Sequence, residues 1–340
     1  MKLFVTFLLV LLVSSQVLAH SENVSRLLQL AQSNIFPEAN EHGFIPVGNG
    51  GDDIFYWYFP ARNSPEKAPL VLWLTGGPGC SSELAIFYEN GPFKLNGTEV
   101  VSNPHSWNTN ANLLYIDQPV GTGFSKAKAI WDLKTNEKAI AKDMNETITK
   151  FIAMHPELAM RPFYVTGESY AGHYIPALGK YLDDHKTDAA NKNLNFKGVA
   201  IGNGLVDPIN QYDAYPQFAY HNNLIGKTFE TILLGYMQIC KGITKLHIPL
   251  LDIEACNIGI TAVSGLPVAP KFNLYDIRKK CAVPPLCYDF SDLDKFFKRD
   301  DVIAELGVKG RKWSQCNMEV HFGLLLDWST NGSPAVIIFF

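Results

Sequence analysis

A serine flanked by small residues lies between a short apolar run and a helix-like segment. Ser169 is preceded by Gly167 and followed by Ala171, and the apolar run Phe163–Val165 lies just upstream. Small residues at these two positions allow a sharp strand-to-helix turn on which a serine hydroxyl is exposed. A hydroxyl held in this way can attack a carbonyl carbon, so the spacing predicts a nucleophile.

The predicted helix begins directly after this serine and runs from Tyr170 to Leu182. The first N–H groups of a helix have no partner within it and carry partial positive charge. The amide of Tyr170 is therefore placed to stabilise an oxyanion at the attacked carbonyl. The alternative is a chance match in a chain with 26 glycines. The flanking strand and helix favour the functional interpretation, because the motif requires that context.

The surrounding pattern predicts the elements that position the serine. An apolar face recurs at helical spacing between about 135 and 154, which predicts a helix. Apolar runs predict buried strands at Leu70–Leu74 and Asn112–Asp117, and Asn195–Gly204 is expected to be a further strand after the helix. Strands that alternate with helices indicate a mostly parallel α/β sheet with helices on both faces, entered through an antiparallel hairpin within Phe44–Phe59.

Beyond Gly204 the alternation ends. Residues 205 to about 315 show no clean strand–helix pattern, and five of the six cysteines lie in or next to this segment. We interpret it as a cap insertion packed over the carboxyl edge of the sheet, where ligands bind in open α/β sheets.

The first 19 residues have the pattern of a secretory signal. Lys2 precedes the apolar run Leu3–Val13, and small residues around Ala19 form a cleavage site. The run is shorter than the roughly 20 residues that a membrane span needs. We therefore expect cleavage after Ala19, a mature domain of residues 20–340 without a membrane span, and a lysosomal, vacuolar or extracellular destination. Four glycosylation acceptor sites fit this route: Asn23, Asn96, Asn145 and Asn331.

Charge and cysteine usage exclude other classes. A net charge of −4 without basic runs gives no reason to expect nucleic acid as a partner. Six cysteines allow 15 connectivities, so spacing alone does not pair them. Their spacing is unlike that of a zinc site, so disulfides are expected and neither a metal nor a cofactor.

Longer stretches resemble the serine carboxypeptidases of the carboxypeptidase Y and cathepsin A type, a family with the α/β-hydrolase fold. The resemblance runs from about Gly43 to Trp328, and its blocks are residues 72–82 (LWLTGGPGCSS), 88–92, 103–125, 167–176, 201–208, 275–281 and 286–288. It implies an enzyme that releases single residues from the C-termini of peptides and proteins through an acyl-enzyme. A homodimer is compatible with it.

The resemblance also implies residue roles. Ser169 is the implied acylated nucleophile. The implied oxyanion donors are Gly77 and Tyr170, and the implied groups for the substrate's C-terminal carboxylate are Trp73, Thr75, Glu89 and Glu168. The implied disulfides are Cys80–Cys316, Cys240–Cys256 and Cys281–Cys287.

The two glutamates can also be argued from their chemistry. A glutamic acid that binds a carboxylate must hold a proton, because two carboxylates in contact repel and the pKa of one rises. Glu168, next to the nucleophile, is expected to be such a neutral donor. The alternatives are a surface glutamate favoured at a helix start for Glu168 and a structural hydrogen bond for Glu89.

Two histidines near these motifs are not expected to act as the general base. His173 lies four residues after Ser169 on the same helix, beside or beneath the serine's own turn. The family has a histidine at this position that is not the base. His105 is expected to be a loop histidine.

The triad of this fold follows the chain order serine, aspartate, histidine. The family supplies the last two from blocks that are not matched here, because the resemblance ends near Trp328 and Ser329–Phe340 is unrelated. We therefore expect a truncated form of a family member, incomplete in its last strands. The alternatives are a non-catalytic product or peptide-binding remnant, or an acyltransferase on the same scaffold.

This expectation predicts that residues 20–340 have no significant peptidase activity. A serine hydroxyl is a poor nucleophile without a base, and loss of a triad histidine costs about 10⁶ in kcat in a related hydrolase. The assay is turnover of an N-blocked dipeptide and labelling by a fluorophosphonate probe, with Ser169→Ala as the background. Rapid labelling that depends on Ser169 would show that another group serves as the base.

Overall fold

The structure is a computed structural model that describes residues 35–48, 50–246, 256, 259, 261–264, 270–284, 287–328 and 332. The predicted signal segment 1–19 and the acceptor sites Asn23 and Asn331 lie outside the described residues.

An antiparallel hairpin opens the described chain. Strands β1 (Glu41–Val47) and β2 (Asp52–Phe59) pair from Glu41 opposite Tyr58 to Val47 opposite Asp52. Side chains alternate between the two faces of a strand, and β2 is buried on both, with Tyr56 on one face and Trp57 on the other. The predicted hairpin is confirmed, and its second strand forms part of the core.

The central sheet has six strands. Besides β1 and β2 they are β3 (Leu70–Leu74), β6 (Asn112–Ile116), β7 (Pro162–Glu168) and β8 (Asn195–Gly202). Their order in the sheet is β1-β2-β6-β3-β7-β8. Strand β3 runs parallel to β6 and β7, and β8 runs parallel to β7, whereas β2 is antiparallel to β6. The predicted, mostly parallel sheet is confirmed. A separate hairpin is formed by β4 (Phe93–Asn96) and β5 (Glu99–Ser102).

Nine α-helices whose ends both lie in the described part of the chain accompany the sheet. They are α1 (Glu83–Tyr88), α2 (Glu137–Met154), α3 (Ala171–Asp184), α4 (Pro208–Gln211), α5 (Ala214–His221), α6 (Lys227–Lys245), α7 (Ser291–Phe296), α8 (Asp300–Glu305) and α9 (Met318–Gly323). Helix α2 begins where the side chain of Asn136 accepts a hydrogen bond from the Ala139 amide at 3.0 Å, a common N-terminal cap.

Two apolar clusters cover the two faces of the sheet. On one face, Leu72 and Leu114 pack with Ile148 of α2 and Leu178 of α3. On the other face, side chains of β2, β3 and β6 pack with α1, α7 and α8. The central strands β3 and β6 are therefore buried on both sides, as their continuous apolar runs indicate, whereas β8 at the edge of the sheet is only partly buried.

The last part of the predicted cap insertion differs from the prediction. The sequence interpretation placed all of 205 to about 315 over the carboxyl edge of the sheet. In the structure, Phe296 and Val302 belong to the cluster on the sheet face, and the ring of Phe296 lies 5.3 Å from that of Phe87. Helices α7 and α8 carry large apolar side chains, and packing against the apolar face of the sheet buries them.

Among the described residues, no helix combines the length and the apolar character needed to span a bilayer.

All six cysteines form disulfides, with the pairing that the resemblance implies. Cys80 is bonded to Cys316, Cys240 to Cys256 and Cys281 to Cys287. The first bond is accompanied by two backbone hydrogen bonds, from Ser81 N to Gln315 O at 2.9 Å and from Asn317 N to Gly79 O at 2.8 Å. It therefore attaches the loop after β3 to the segment that precedes α9.

The loop lengths predict unequal contributions of these bonds to stability. Cys80 and Cys316 are 236 positions apart, and Cys281 and Cys287 are 6 apart. The chain-entropy model gives roughly 5 kcal/mol for the long loop and about 2 kcal/mol for the short one, as upper figures. We expect the double variant Cys80→Ser/Cys316→Ser to lower the free energy of unfolding in urea more than Cys281→Ser/Cys287→Ser. Equal losses would contradict the model.

Candidate active site

Ser169 lies on a sharp turn between β7 and α3. Its φ angle is +58°, in the left-handed region that a residue with a side chain rarely adopts. Its N–H donates to Gly202 O at 3.0 Å, and its carbonyl accepts from Leu205 N at 2.9 Å. The end of β8 and the segment directly after it therefore hold the serine on both sides in this conformation, which confirms the predicted strand-to-helix turn.

The small residues around the turn are required by close backbone contacts. A Cβ atom on Gly167 would lie 2.2 Å from Leu74 O and 3.0 Å from the Cβ of Ala171. A Cβ atom on Gly76 would lie 2.4 Å from the backbone nitrogen of Tyr170. The sequence pattern indicated small residues at 167 and 171, but it did not single out Gly76.

The loop after β3, residues 75–82, passes directly beside the turn. Gly77 has a φ angle of +113°, a conformation that favours glycine. Its neighbour Gly76 lies against the Tyr170 amide, so the two predicted oxyanion donors belong to segments in contact. Helix α3 also contacts this loop, because Gly79 N donates to the hydroxyl of Tyr174 at 3.3 Å. We call residues 75–82 the oxyanion loop, after the role that the resemblance implies for Gly77.

Two glutamates meet beside Ser169. Glu168 ends β7, and Glu89 directly follows α1; their side chains hydrogen-bond each other. Glu89 is open to solvent on one side, but partial burial and the negative charge of Glu168 raise its pKa to about 8. Burial also raises the pKa of Glu168. Two carboxyl groups in contact hold a proton between them, and once the pair has taken up a second proton it is neutral and has an O–H group to donate to another acceptor.

A third polar group belongs to the same area. The indole nitrogen of Trp73 donates to the hydroxyl of Thr75 at 3.1 Å, and both side chains are buried. A tryptophan N–H can only donate, whereas a hydroxyl can accept one hydrogen bond and donate another. Trp73 therefore leaves the hydroxyl hydrogen of Thr75 available for an acceptor.

Several neighbours of this site were not identified from the sequence. Trp107 packs edge-to-face on Trp73, with ring centroids 5.4 Å apart. Tyr275, from the predicted insertion, is close enough to Glu168 that burial and this carboxylate raise its pKa. Tyr275 is the first residue of the matching block 275–281, so the sequence did mark this position. It did not indicate that the tyrosine lies near Glu168.

The histidines lie as the sequence analysis expected. His173 is buried, stacks on Tyr170 with ring centroids 4.5 Å apart, and has Nε2 3.1 Å from Trp328 O. His105 is exposed in a loop. A histidine not considered from the sequence, His321 of α9, places Nδ1 3.3 Å from Pro78 O.

Two predicted features remain predictions. Asn96 is exposed on the turn of the β4–β5 hairpin, whereas Asn145 lies within α2 with its side-chain oxygen buried, so Asn96 is the better acceptor for a glycan. Within the described residues, no group of three or more histidine, cysteine, aspartate or glutamate side chains could hold a metal ion.

One match shows the family to which this chain belongs. A family model described as serine carboxypeptidase matches residues 31–337. This chain belongs to the serine carboxypeptidase family. Serine carboxypeptidase-like 49 of Arabidopsis thaliana is 44% identical over 299 residues, which cover 84% of this chain and 57% of the relative. Serine carboxypeptidase 3 of Oryza sativa subsp. japonica is 40% identical over 308 residues, 87% of this chain and 60% of the relative.

A solved structure is also similar to this chain. A prohormone-processing carboxypeptidase from Saccharomyces cerevisiae superposes with a TM-score of 0.78 at 25% identity, covering 88% of this chain and 70% of that one. The chain therefore has the α/β-hydrolase fold of the serine carboxypeptidases. It spans less than two thirds of the length of the plant relatives.

The conformation of Ser169 predicts a measurable strain. A non-glycine residue in the left-handed region costs of order 1–3 kcal/mol, and glycine avoids most of this at an entropic cost of roughly 0.5–1 kcal/mol. We expect Ser169→Gly to be more stable than Ser169→Ala by about 1 kcal/mol in urea unfolding. As a control, Ala171→Gly at the start of α3 should lower stability by about 1 kcal/mol. A Ser169→Gly variant less stable than Ser169→Ala would show that the turn is unstrained.

Proposed function

We propose that this chain carries the nucleophile and the carboxylate-recognition site of a serine carboxypeptidase, which removes the last residue of a peptide through an acyl-enzyme on Ser169. The observation that supports it best is the position of the Glu89–Glu168 carboxyl pair, one residue from a serine held on a strained turn. An endopeptidase needs no such pair, because its substrates have no carboxylate next to the cleaved bond.

In this proposal the Ser169 hydroxyl attacks the carbonyl carbon of the last peptide bond. The carbonyl oxygen becomes an anion and accepts hydrogen bonds from the amides of Gly77 and Tyr170. The C–N bond then breaks, the leaving amine takes up a proton, and the rest of the peptide remains as an ester on Ser169. Water hydrolyses this ester and regenerates the hydroxyl.

The attack requires a base that accepts the proton of Ser169, and we assign none among the described residues. The Nε2 atom of His173 faces the Trp328 carbonyl, and its ring is stacked in the helix beneath the turn. The contacts of His173 support a structural role.

Selection of the C-terminus follows from the polar groups beside Ser169. The substrate carboxylate accepts hydrogen bonds from the protonated glutamate pair and from the hydroxyl of Thr75. Trp73 orients that hydroxyl by occupying its acceptor side. A protonated glutamate donates a hydrogen bond and carries no charge. The site can therefore bind the substrate carboxylate without an arginine or lysine.

This proposal predicts that peptide binding weakens as the pH rises. Above the pKa of about 8 of Glu89 the pair loses its last proton, and two ionised carboxylates repel the carboxylate of the peptide. Above this pH the dissociation constant should therefore increase by up to about tenfold per pH unit. The measurement is calorimetric titration of the Ser169→Ala chain with an N-blocked dipeptide between pH 5 and pH 9.

Two controls make the test specific. The same dipeptide with a C-terminal amide should bind weakly at every pH, because it has no carboxylate. Glu168→Gln donates a hydrogen bond without titrating, so it should flatten the pH dependence. Equal binding of acid and amide peptides, or an unchanged pH profile in Glu168→Gln, would remove these glutamates from carboxylate recognition.

A proton-dependent site also fits the predicted secretory route. Lysosomes and vacuoles are acidic, and there the Glu89–Glu168 pair is protonated. We therefore propose a preference for acidic pH, with the C-termini of peptides and proteins as substrates.

A further inference from the structure

A second pair of carboxyl groups lies within the molecule, behind the oxyanion loop. Glu83 is the first residue of α1, and Asp117 directly follows β6. Each side chain is only 1% exposed, and the two hydrogen-bond each other. This pair takes no part in the mechanism described above and is distinct from Glu89 and Glu168.

Asp117 joins two loops through backbone amides. Its Oδ1 atom accepts from Ser82 N at 3.0 Å, and its Oδ2 atom accepts from Phe124 N at 2.8 Å. Gly123 lies so close that a Cβ atom there would be 1.9 Å from Oδ2. The carboxyl group of Asp117 therefore fills its cavity and connects the end of the oxyanion loop to residues 117–125.

Glu83 connects the pair to a third segment. Its Oε2 atom accepts from the hydroxyl of Ser81 and, at 3.2 Å, from the indole nitrogen of Trp313. Each oxygen of Asp117 already accepts from one amide, and two ionised carboxylates in contact repel, so one proton lies between the two side chains. Burial raises the pKa of both groups, and their mutual interaction raises that of Asp117 further.

Ser82 transmits the position of this pair to the oxyanion loop. Its hydroxyl donates to Ile116 O at 2.8 Å and accepts from Thr75 N at 3.3 Å. Thr75 and Ser82 are the two ends of the loop, and Gly77 lies between them. Displacement of Ser82 from Asp117 would therefore move the base of the loop.

The other polar groups around the pair do not replace that proton. Arg311 reaches the same loop, where it binds Phe124 O at 2.9 Å, but its charge is paired with the Asp53 carboxylate at 2.7 Å. Asp294 accepts from Gln315. Gln118 and Thr122, which follow Asp117 in the chain, are buried and carry no charge.

We propose that Glu83 and Asp117 are positioning residues of the oxyanion loop, which they hold in place through a single shared proton. When that proton is lost, two buried carboxylates repel, Ser82 and Ser81 lose their partners, and the loop opens. The significance for catalysis rests on the proposed function, but the structural claim does not.

The test is hydrogen exchange of the oxyanion loop as a function of pH. The closed loop binds one proton more than the open loop does, so its stability falls as pH rises above the unperturbed pKa of about 4. After correction for intrinsic exchange rates, the protection of amides in residues 75–88 should fall between pH 5 and pH 8, by up to about tenfold per pH unit. Constant protection over this range would overturn the proposal.

Matched variants separate the proton from the contacts. Glu83→Gln donates to Asp117 without titrating and still accepts from Ser81 and Trp313, so it should retain protection at pH 8. Glu137→Gln replaces another buried glutamate, whose pKa burial and Asp327 raise to about 8, and should leave the slope for residues 75–88 unchanged. A slope that persists in Glu83→Gln, or one that Glu137→Gln also removes, would contradict the proposal.

If Glu83→Gln does not fold, the wild-type chain still decides the question. Residues 75–88 should lose protection more steeply with pH than the β1–β2 hairpin, and equal slopes would contradict the proposal. Peptide binding tests the proposed function separately. If the carboxylate peptide does not bind but exchange of the loop depends on pH, the proposed function alone is rejected. If the peptide binds but exchange of the loop does not depend on pH, this inference alone is rejected.

Discussion

The structure of the site depends on a backbone-to-backbone contact between the end of β3 and the turn after β7. No side chain fits between Gly167 and Leu74 O, or between Gly76 and the Tyr170 amide. This contact places the oxyanion loop against the nucleophile turn at van der Waals distance, and Gly202 and Leu205 hold the turn from the other side. Because backbone atoms and not side chains form the contact, it is rigid and tolerates little substitution.

Buried carboxyl groups around this contact make the molecule sensitive to protons. Burial raises the pKa of Glu83, Asp117 and Glu137, and partial burial raises that of Glu89. A carboxyl group whose folded pKa exceeds its unfolded value stabilises the fold at low pH, and this contribution is lost as pH rises. For Glu89 and Glu137 the window lies between about 4, the unfolded value, and about 8. Acidity therefore favours both the fold and the protonated carboxyl pair beside Ser169.

The sequence predicted the sheet and the nucleophile turn because both have local signals. Apolar runs marked β3, β6 and β7, and small residues marked the turn at Ser169. The contact between Glu83 and Asp117 had no such signal, since 34 positions separate two acidic residues that local pattern cannot bring together. The placement of α7 and α8 failed for a related reason: short helices of six residues show too few turns for an apolar face to be recognised.

The pairing of the oxyanion loop with residues 315–317 has a consequence for biosynthesis. A ribosome delivers the chain from its N-terminus, so Gly79 and Ser81 are made long before their partners Asn317 and Gln315. The six described strands of the central sheet and the serine lie within the first 300 residues, yet residues 79–81 lack their disulfide and their backbone hydrogen bonds to residues 315–317 until the later segment emerges. Partial chains that fold during synthesis therefore hold the nucleophile before the loop beside it is secured, which delays completion of the site until most of the described polypeptide has been made.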